Sequence, residues 1–202
     1  MAMVAGQNFN HPEKGSSIKV EPIRDIKSIK RIKKNLEKQP RNYCLFTLGI
    51  NSAYRANELL SLTVDQVDYL RPGDRLELKQ SKTDKHRAIT VNSTAVDAID
   101  FWLRHHPRPT RGQPLFISHR KHTAIGVPTA CNLLKKWCHD IGLHGNFGSH
   151  TLRKTWGYFH HLNGTPLPLL MEAFGHSTQK QTLDYLCIQS SEIQQLYTDL
   201  EL

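Results

Sequence analysis

Ile26, Ile29, Ile32 and Leu36 recur at helical spacing with lysines and arginines filling the positions between them, so an amphipathic basic helix is expected from about Asp25 to near Pro40. A second helix is expected over roughly 42–51 and a short one over 55–62. The period then drops to two. Residues 75–80 (RLELKQ) and 86–91 (HRAITV) alternate apolar and polar side chains around the polar SKTDK, which reads as a β-hairpin with Lys82 at its tip. Val96, Ile99, Trp102 and Leu103 restore the helical period over 92–106, capped by Asn92 or Ser93 and closed by Pro107. PLFIS (114–118) reads as a short strand or an extended run. Helices are expected over about 127–141, 149–163, 166–174, 178–187 and 191–200, with Gly142, Gly145, Gly148, Gly164 and Gly175 between them. Residues 1–22 are polar and without periodicity, as a flexible arm or linker is. The expected fold is therefore α+β and mainly helical, with one small antiparallel sheet, in a single domain over 23–189. Ile193, Leu196, Tyr197 and Leu200 mark 190–202 as a C-terminal amphipathic helix.

Composition narrows the class of partner. The 202 residues suit one domain with a sizeable core. Lys and Arg number 27 against 18 Asp and Glu, a net charge of +9, which favours a polyanionic partner. Charge of this kind is shared with ribosomal and membrane-surface proteins, so it supports a motif but does not replace one. Cys44, Cys131, Cys138 and Cys187 form no CxxC pair and lie in apolar, helical stretches, which fits reduced core cysteines and a cytoplasmic protein. The first residues carry no basic segment followed by an apolar run and no run of 18 apolar residues occurs, so neither secretion nor membrane insertion is expected. The histidines of HRKH (119–122), His105 with His106, and His160 with His161 lack cysteine or carboxylate partners at ligand spacing, so no metal and no cofactor are expected.

Four separated pieces carry chemistry: YRANELL (54–60), the hairpin lysine of QSKTDK, HTLRKT (150–155) and GHSTQKQTLDYL (175–186). Each has a bland explanation. Arg55 and Glu58 form an ordinary i,i+3 helix pair, and Lys82 is a turn lysine with Lys79 and Lys85 beside it. His150 begins a helix, His176 caps one after Gly175, and Tyr185 packs as a half-buried tyrosine beside Leu183 and Leu186. Taken singly, none decides anything. Their order and spacing do: RxxE, a hairpin Lys, HxxR, then 23 residues from Arg153 to His176 and nine more to Tyr185. Tyr197 competes with Tyr185 but lies 21 residues beyond His176 and fits the apolar stripe of the tail.

In this combination the chain resembles the tyrosine recombinases of the phage integrase family over roughly residues 40–190. The resemblance implies a catalytic set of Arg55, Lys82, His150, Arg153, His176 and Tyr185, with Glu58 orienting a guanidinium. Tyr185 would attack DNA in line, leaving a 3′-phosphotyrosyl bond and a free 5′-hydroxyl, and rejoining would need no ATP. Lys82 would protonate the departing 5′-oxygen, and one of His150 and His176 would assist removal of the phenolic proton. The chemistry suits the residue types, since phosphoryl transfer needs a nucleophile, neutralisation of nonbridging oxygens and a proton for the leaving group. Guanidiniums grip a phosphate bidentately and stay charged, which favours Arg over Lys at positions 55 and 153.

The resemblance further implies double-stranded DNA as partner, self-association on DNA into a tetrameric synapse, and a bacterial or phage-encoded enzyme of mobile elements. The C-terminal helix would dock on a neighbouring protomer or on its own. Catalytic domains of this family usually follow a helical core-binding domain, and only 54 residues precede Arg55 here. The chain is therefore expected to be a short recombinase, resembling the fimbrial-switch enzymes, or a catalytic fragment. Two rivals share the fold: a topoisomerase-IB-like relaxing activity, and a catalytically idle DNA-binding module. An RNA-binding role lacks an aromatic RNA-recognition motif.

Overall fold

Asp25 opens the helical part of the chain by accepting a hydrogen bond from the Ser28 amide at 2.8 Å. Helix α1 (Ile26–Leu36) follows, with Ile29, Ile32 and Leu36 buried and Lys27, Lys30 and Lys34 exposed. It stops short of Pro40, which instead sits at the first position of α2 (Pro40–Ile50), where its missing N–H is not needed. The structure, a computed structural model, describes residues 19–79, 86–118, 120–188 and Thr198. Lys82 and most of the expected C-terminal helix lie outside the described residues.

A five-residue helix, α3 (Ala56–Leu60), leads to the hairpin of β1 (Arg75–Lys79) and β2 (His86–Thr90). The strands pair antiparallel with Leu76 opposite Ile89 and Leu78 opposite Arg87. Helix α4 (Ser93–Leu103) is capped by Asn92, whose side chain accepts from the Ala95 amide at 2.9 Å, so the cap falls to Asn92 and not to Ser93. PLFIS forms no strand. It is an extended run held by single bridges from Pro114 to Thr63 and from Ile117 to Ala124, with Leu115, Phe116 and Ile117 buried. The chain then turns helical through α5 (Val127–Asp140), α6 (Thr151–Leu162), α7 (Leu167–Phe174) and α8 (Gln179–Leu186). The fold is thus a mainly helical α+β domain with a two-stranded antiparallel sheet.

Helix α2 sits at the centre and packs on α1, α4 and α6. Phe46, Leu45 and Leu48 are almost fully buried, and Phe46 meets Trp137 of α5 edge to face with centroids 6.0 Å apart. Burial of such side chains contributes roughly 1.5–3 kcal/mol each. Close helix approach depends on two glycines. A Cβ on Gly49 would stand 2.5 Å from Leu152 Cδ1, and one on Gly157 would stand 2.2 Å from Phe174 Cζ and 2.9 Å from Leu186 Cδ2. Gly157 lets α6 lie directly on a second, small core of Leu170, Phe174 and Leu186, which carries α7 and α8.

The described part of the stretch expected to be an arm is bonded to α6 and its approach. The Glu21 amide donates to the Asn146 carbonyl at 2.8 Å, Thr151 Oγ1 donates to the Glu21 carbonyl at 2.8 Å, and the Ile23 amide donates to Thr155 Oγ1 at 2.9 Å. Among the described residues, no helix is long and apolar enough to cross a membrane.

Candidate active site

Glu58 organises one half of the site. The RxxE spacing places Arg55 at the N-cap of α3 and Glu58 at its third position, so the carboxylate folds back in a capping-box arrangement. Oε2 accepts from the Arg55 amide at 2.6 Å and Oε1 accepts from Arg55 Nη1 at 3.0 Å. Two more guanidiniums converge on Oε2: Arg87 Nη1 of β2 at 3.5 Å and Arg153 Nη1 of α6 at 3.8 Å. Arg153 also donates through Nη2 to the Phe174 carbonyl at 2.6 Å, and Arg87 donates through Nη1 to the Ala53 carbonyl at 3.2 Å. Three cations thus surround one carboxylate, leaving a local excess of positive charge. Glu58, Arg87 and Arg153 are buried, whereas the Arg55 side chain is 38% exposed. Burial lowers the Arg153 pKa to about 10, yet the group stays charged at neutral pH. Tyr54 fixes the preceding loop to the sheet by donating to the Leu76 carbonyl at 2.7 Å.

Tyr185 organises the other half. Gly175, in the left-handed conformation at φ +64°, ends α7 in a Schellman turn, with the His176 amide donating to the Met171 carbonyl at 2.9 Å and the Gly175 amide to the Glu172 carbonyl at 3.0 Å. The reversal brings His176 back over Phe174, their rings stacked with centroids 5.1 Å apart. Thr178 then caps α8, and Tyr185 lies in its last turn. The Tyr185 hydroxyl is 3.1 Å from His150 Nδ1, and its ring meets His176 edge to face at 5.0 Å and Phe174 at 5.1 Å. Arg153 Cζ lies 5.9 Å from the Tyr185 ring centroid, and Lys154 Nζ lies 4.8 Å from it.

These surroundings set the protonation states. Burial pushes the Tyr185 phenol up to about 12, partly opposed by Arg153, Arg55 and Arg87. Desolvation, then the same three arginines, pulls His176 down to about 4. His150 is lowered by desolvation and then by Arg153, Lys154 and Arg55. The phenol is therefore protonated at neutral pH while both imidazoles are neutral. His176 Nδ1 lies 3.0 Å from Thr182 Oγ1; when Thr182 donates, Nε2 carries the proton and can donate in turn.

The structure brings Arg55, Glu58, His150, Arg153, His176 and Tyr185 into one site. Lys82 lies outside the described residues. Two participants escaped the sequence reading. Arg87 had one available signal, since it pairs with buried Leu78 in the hairpin and so occupies the apolar face of an alternating strand. Lys154 had none: it follows Arg153, yet it is buried, with Nζ 3.2 Å from Cys187 Sγ. Three other histidines have structural partners. His106 Nε2 lies 3.1 Å from the Pro114 carbonyl oxygen, His105 Nδ1 lies 2.8 Å from that of Phe101, and His160 packs on Trp156. Among the described residues, no three His, Cys, Asp or Glu side chains are grouped as metal ligands.

Comparison with known proteins identifies the family of the chain. Residues 24–192 match the phage integrase family. The probable integrase/recombinase YoeC of Bacillus subtilis is 31% identical over 179 residues, covering 88% of this chain and 95% of YoeC. The tyrosine recombinase XerC of Caldanaerobacter subterraneus subsp. tengcongensis is 29% identical over 161 residues, 77% of this chain but 43% of that protein. The fold is shared with the XerH site-specific recombinase bound to palindromic difH substrate in a post-cleavage complex, at a TM-score of 0.73 and 20% identity, over 92% of this chain and 54% of that one. The chain thus spans nearly all of one relative and about half of the others. With this match over most of its length, the chain belongs to the phage integrase family.

Proposed function

We propose that the chain is a site-specific DNA recombinase that cleaves and rejoins duplex DNA through a 3′-phosphotyrosyl bond to Tyr185. The observation that carries the reading is the Tyr185 hydroxyl, 3.1 Å from a neutral His150 and beside a site ringed by three guanidiniums. As the phenol oxygen attacks phosphorus, its proton passes to His150 Nδ1, because a phenol held near pKa 12 does not ionise unaided. The phosphorus–O5′ bond breaks, and the 5′-oxygen takes a proton for which Lys82 is the proposed donor. Arg55 and Arg153 neutralise the nonbridging oxygens, and His176 donates through Nε2. Reversal of the same steps rejoins the strand, since the tyrosyl phosphodiester retains the bond energy.

Family membership makes the chain a DNA strand transferase and does not favour the topoisomerase-like and idle-module readings. The DNA-bound state of its structural relative supports duplex DNA as the partner. Assembly into a tetrameric synapse, with 190–202 docking on a neighbouring protomer, and action in a bacterial cytoplasm complete the proposal.

The test is a pool of nicked suicide duplexes with randomised cores, with covalent protein–DNA adduct read on a denaturing gel. Wild type is expected to form adduct with a subset of the pool, and Tyr185→Phe with none. Adduct from the Phe variant would overturn the nucleophile. Failure of wild type on every duplex would overturn the activity.

A further inference from the structure

Arg87 belongs to none of the motifs that carry the chemistry, yet its guanidinium lies inside the site. Its side chain is 9% exposed; Nη1 is 3.5 Å from Glu58 Oε2 and 3.2 Å from the Ala53 carbonyl oxygen. A Cβ added to Gly175 would stand 3.3 Å from Arg87 Nη2. Arg87 is therefore positioned between the loop before Arg55, the carboxylate that holds Arg55, and the turn that aims His176. A buried cation is costly, and an apolar residue of similar volume packs such a position at least as well. Packing alone does not account for a guanidinium here.

The sharing of Glu58 supplies a reason. Oε1 is taken by Arg55 Nη1, and Oε2 by the Arg55 amide with Arg87 beside it. Arg153 Nη1 stops at 3.8 Å, beyond hydrogen-bond distance, and has no hydrogen-bond partner among the described residues. Without Arg87, the next cation within reach of Glu58 Oε2, beyond the Arg55 already bound to Oε1, is Arg153.

Resting on the reading of the chain as a strand transferase, we infer that Arg87 is a positioning residue: by occupying Glu58 Oε2 it keeps the Nη1 end of Arg153 for the scissile phosphate. It also adds a third fixed positive charge to the site. His176 is faced by Arg153 of α6, Arg55 ahead of α3, Arg87 of β2, Phe174 of α7, and Thr182 and Tyr185 of α8. Arg87 is among the charges that disfavour its protonation.

The experiment compares Arg87→Gln, Arg87→Lys, Glu58→Gln and the Arg87→Gln/Glu58→Gln double variant on a duplex selected from the randomised pool. Adduct rate, gel retention of the duplex and thermal melting are measured together. Arg87→Gln is expected to slow adduct formation roughly 10- to 100-fold, less than the roughly 10²–10³-fold of a lost transition-state donor because Arg87 acts through Glu58, with gel retention changed by less than about threefold. Arg87→Lys, which keeps the charge but loses the fork, should fall between wild type and Gln. Because Arg87 acts through Glu58, the double variant should be no more than about twofold slower than Glu58→Gln alone. Losses that multiply, or an Arg87→Gln rate within about threefold of wild type, would overturn the inference. Should the Gln variant not fold, the Lys variant carries the test, and wild-type rate in it overturns the proposal.

A second readout needs no DNA. NMR titration of His176 in the free protein should show it taking its proton at higher pH in Arg87→Gln than in wild type. An unchanged titration removes Arg87 from the site even if no duplex in the pool is cleaved, whereas a shifted titration without cleavage overturns only the strand-transferase reading.

Discussion

The two halves of the site are built on very different foundations. Glu58 and its arginines are held by α3, the hairpin and α6, all joined to the main core around Phe46, Leu48 and Leu62. Tyr185 and His176 ride on α8 and the α7 turn, whose support is a satellite core of three buried residues, Leu170, Phe174 and Leu186. The half proposed to grip phosphate is thus preformed by many contacts, and the half proposed to attack rests on few. A strand transferase must hold one phosphate throughout but move its nucleophile from protein to DNA and back, so rigidity is needed on one side and a small energetic tether suffices on the other.

The comparison can be broken most severely on the rigid side. Arg153→Lys keeps the charge but loses the fork that reaches Phe174 and Glu58, and adduct formation should fall about 10²–10³-fold, as for loss of one oxyanion donor. A loss under tenfold would mean that Arg153 is structural. On the tethered side, Phe174→Ala should cost roughly 3–5 kcal/mol of local stability. Hydrogen exchange should then quicken in α7 and α8 while α2 and α4 stay protected; uniform exchange would show that the halves melt as one. Gly157→Ala places a methyl against Phe174 and Leu186 and should cost about 1–3 kcal/mol, lowering adduct rate more than DNA retention.

Acid provides a gentler probe. His176 in the fold titrates near 4, below the unfolded value of roughly 6.5, so the unfolded chain takes a proton that the folded one refuses. Its contribution is fully present above about pH 6.5 and is lost progressively as pH falls toward 4. Melting temperature should therefore decline over that window in wild type and less steeply in His176→Asn. Adduct rate should also fall in acid as His150, lowered from its usual value, gains a proton and ceases to accept one from Tyr185; a rate that rises in acid would exclude His150 as the base. The smallest effect is expected from Thr182→Val, which removes the partner of His176 Nδ1 and should slow cleavage severalfold without moving its pH profile.

Much of this was legible along the chain. The RxxE pair reads directly because an N-cap and its third helical residue meet through local geometry, and HxxR reads because positions three apart at a helix start lie on one side. Gly175 announces the turn before His176 because few other residues adopt its φ. Residues 114–118, readable as a short strand or an extended run, are the extended run: Leu115, Phe116 and Ile117 are buried without a continuous partner strand, and a short apolar run does not reveal which environment hides it. Arg87 was passed over because an alternating pattern marks an inward face but not what awaits a charge there.

The sequence by itself determined the helices of the described residues, the hairpin and the candidates for the reacting groups, because caps, turns and periodicity act over a few residues. Only the tertiary structure decided that Glu58 is shared by arginines from three elements, that Lys154 lies over the Tyr185 ring, and that the imidazoles stand neutral beside a protonated phenol. Those properties depend on distance and desolvation in space, and residues 29 and 95 positions apart become neighbours only when the core has closed.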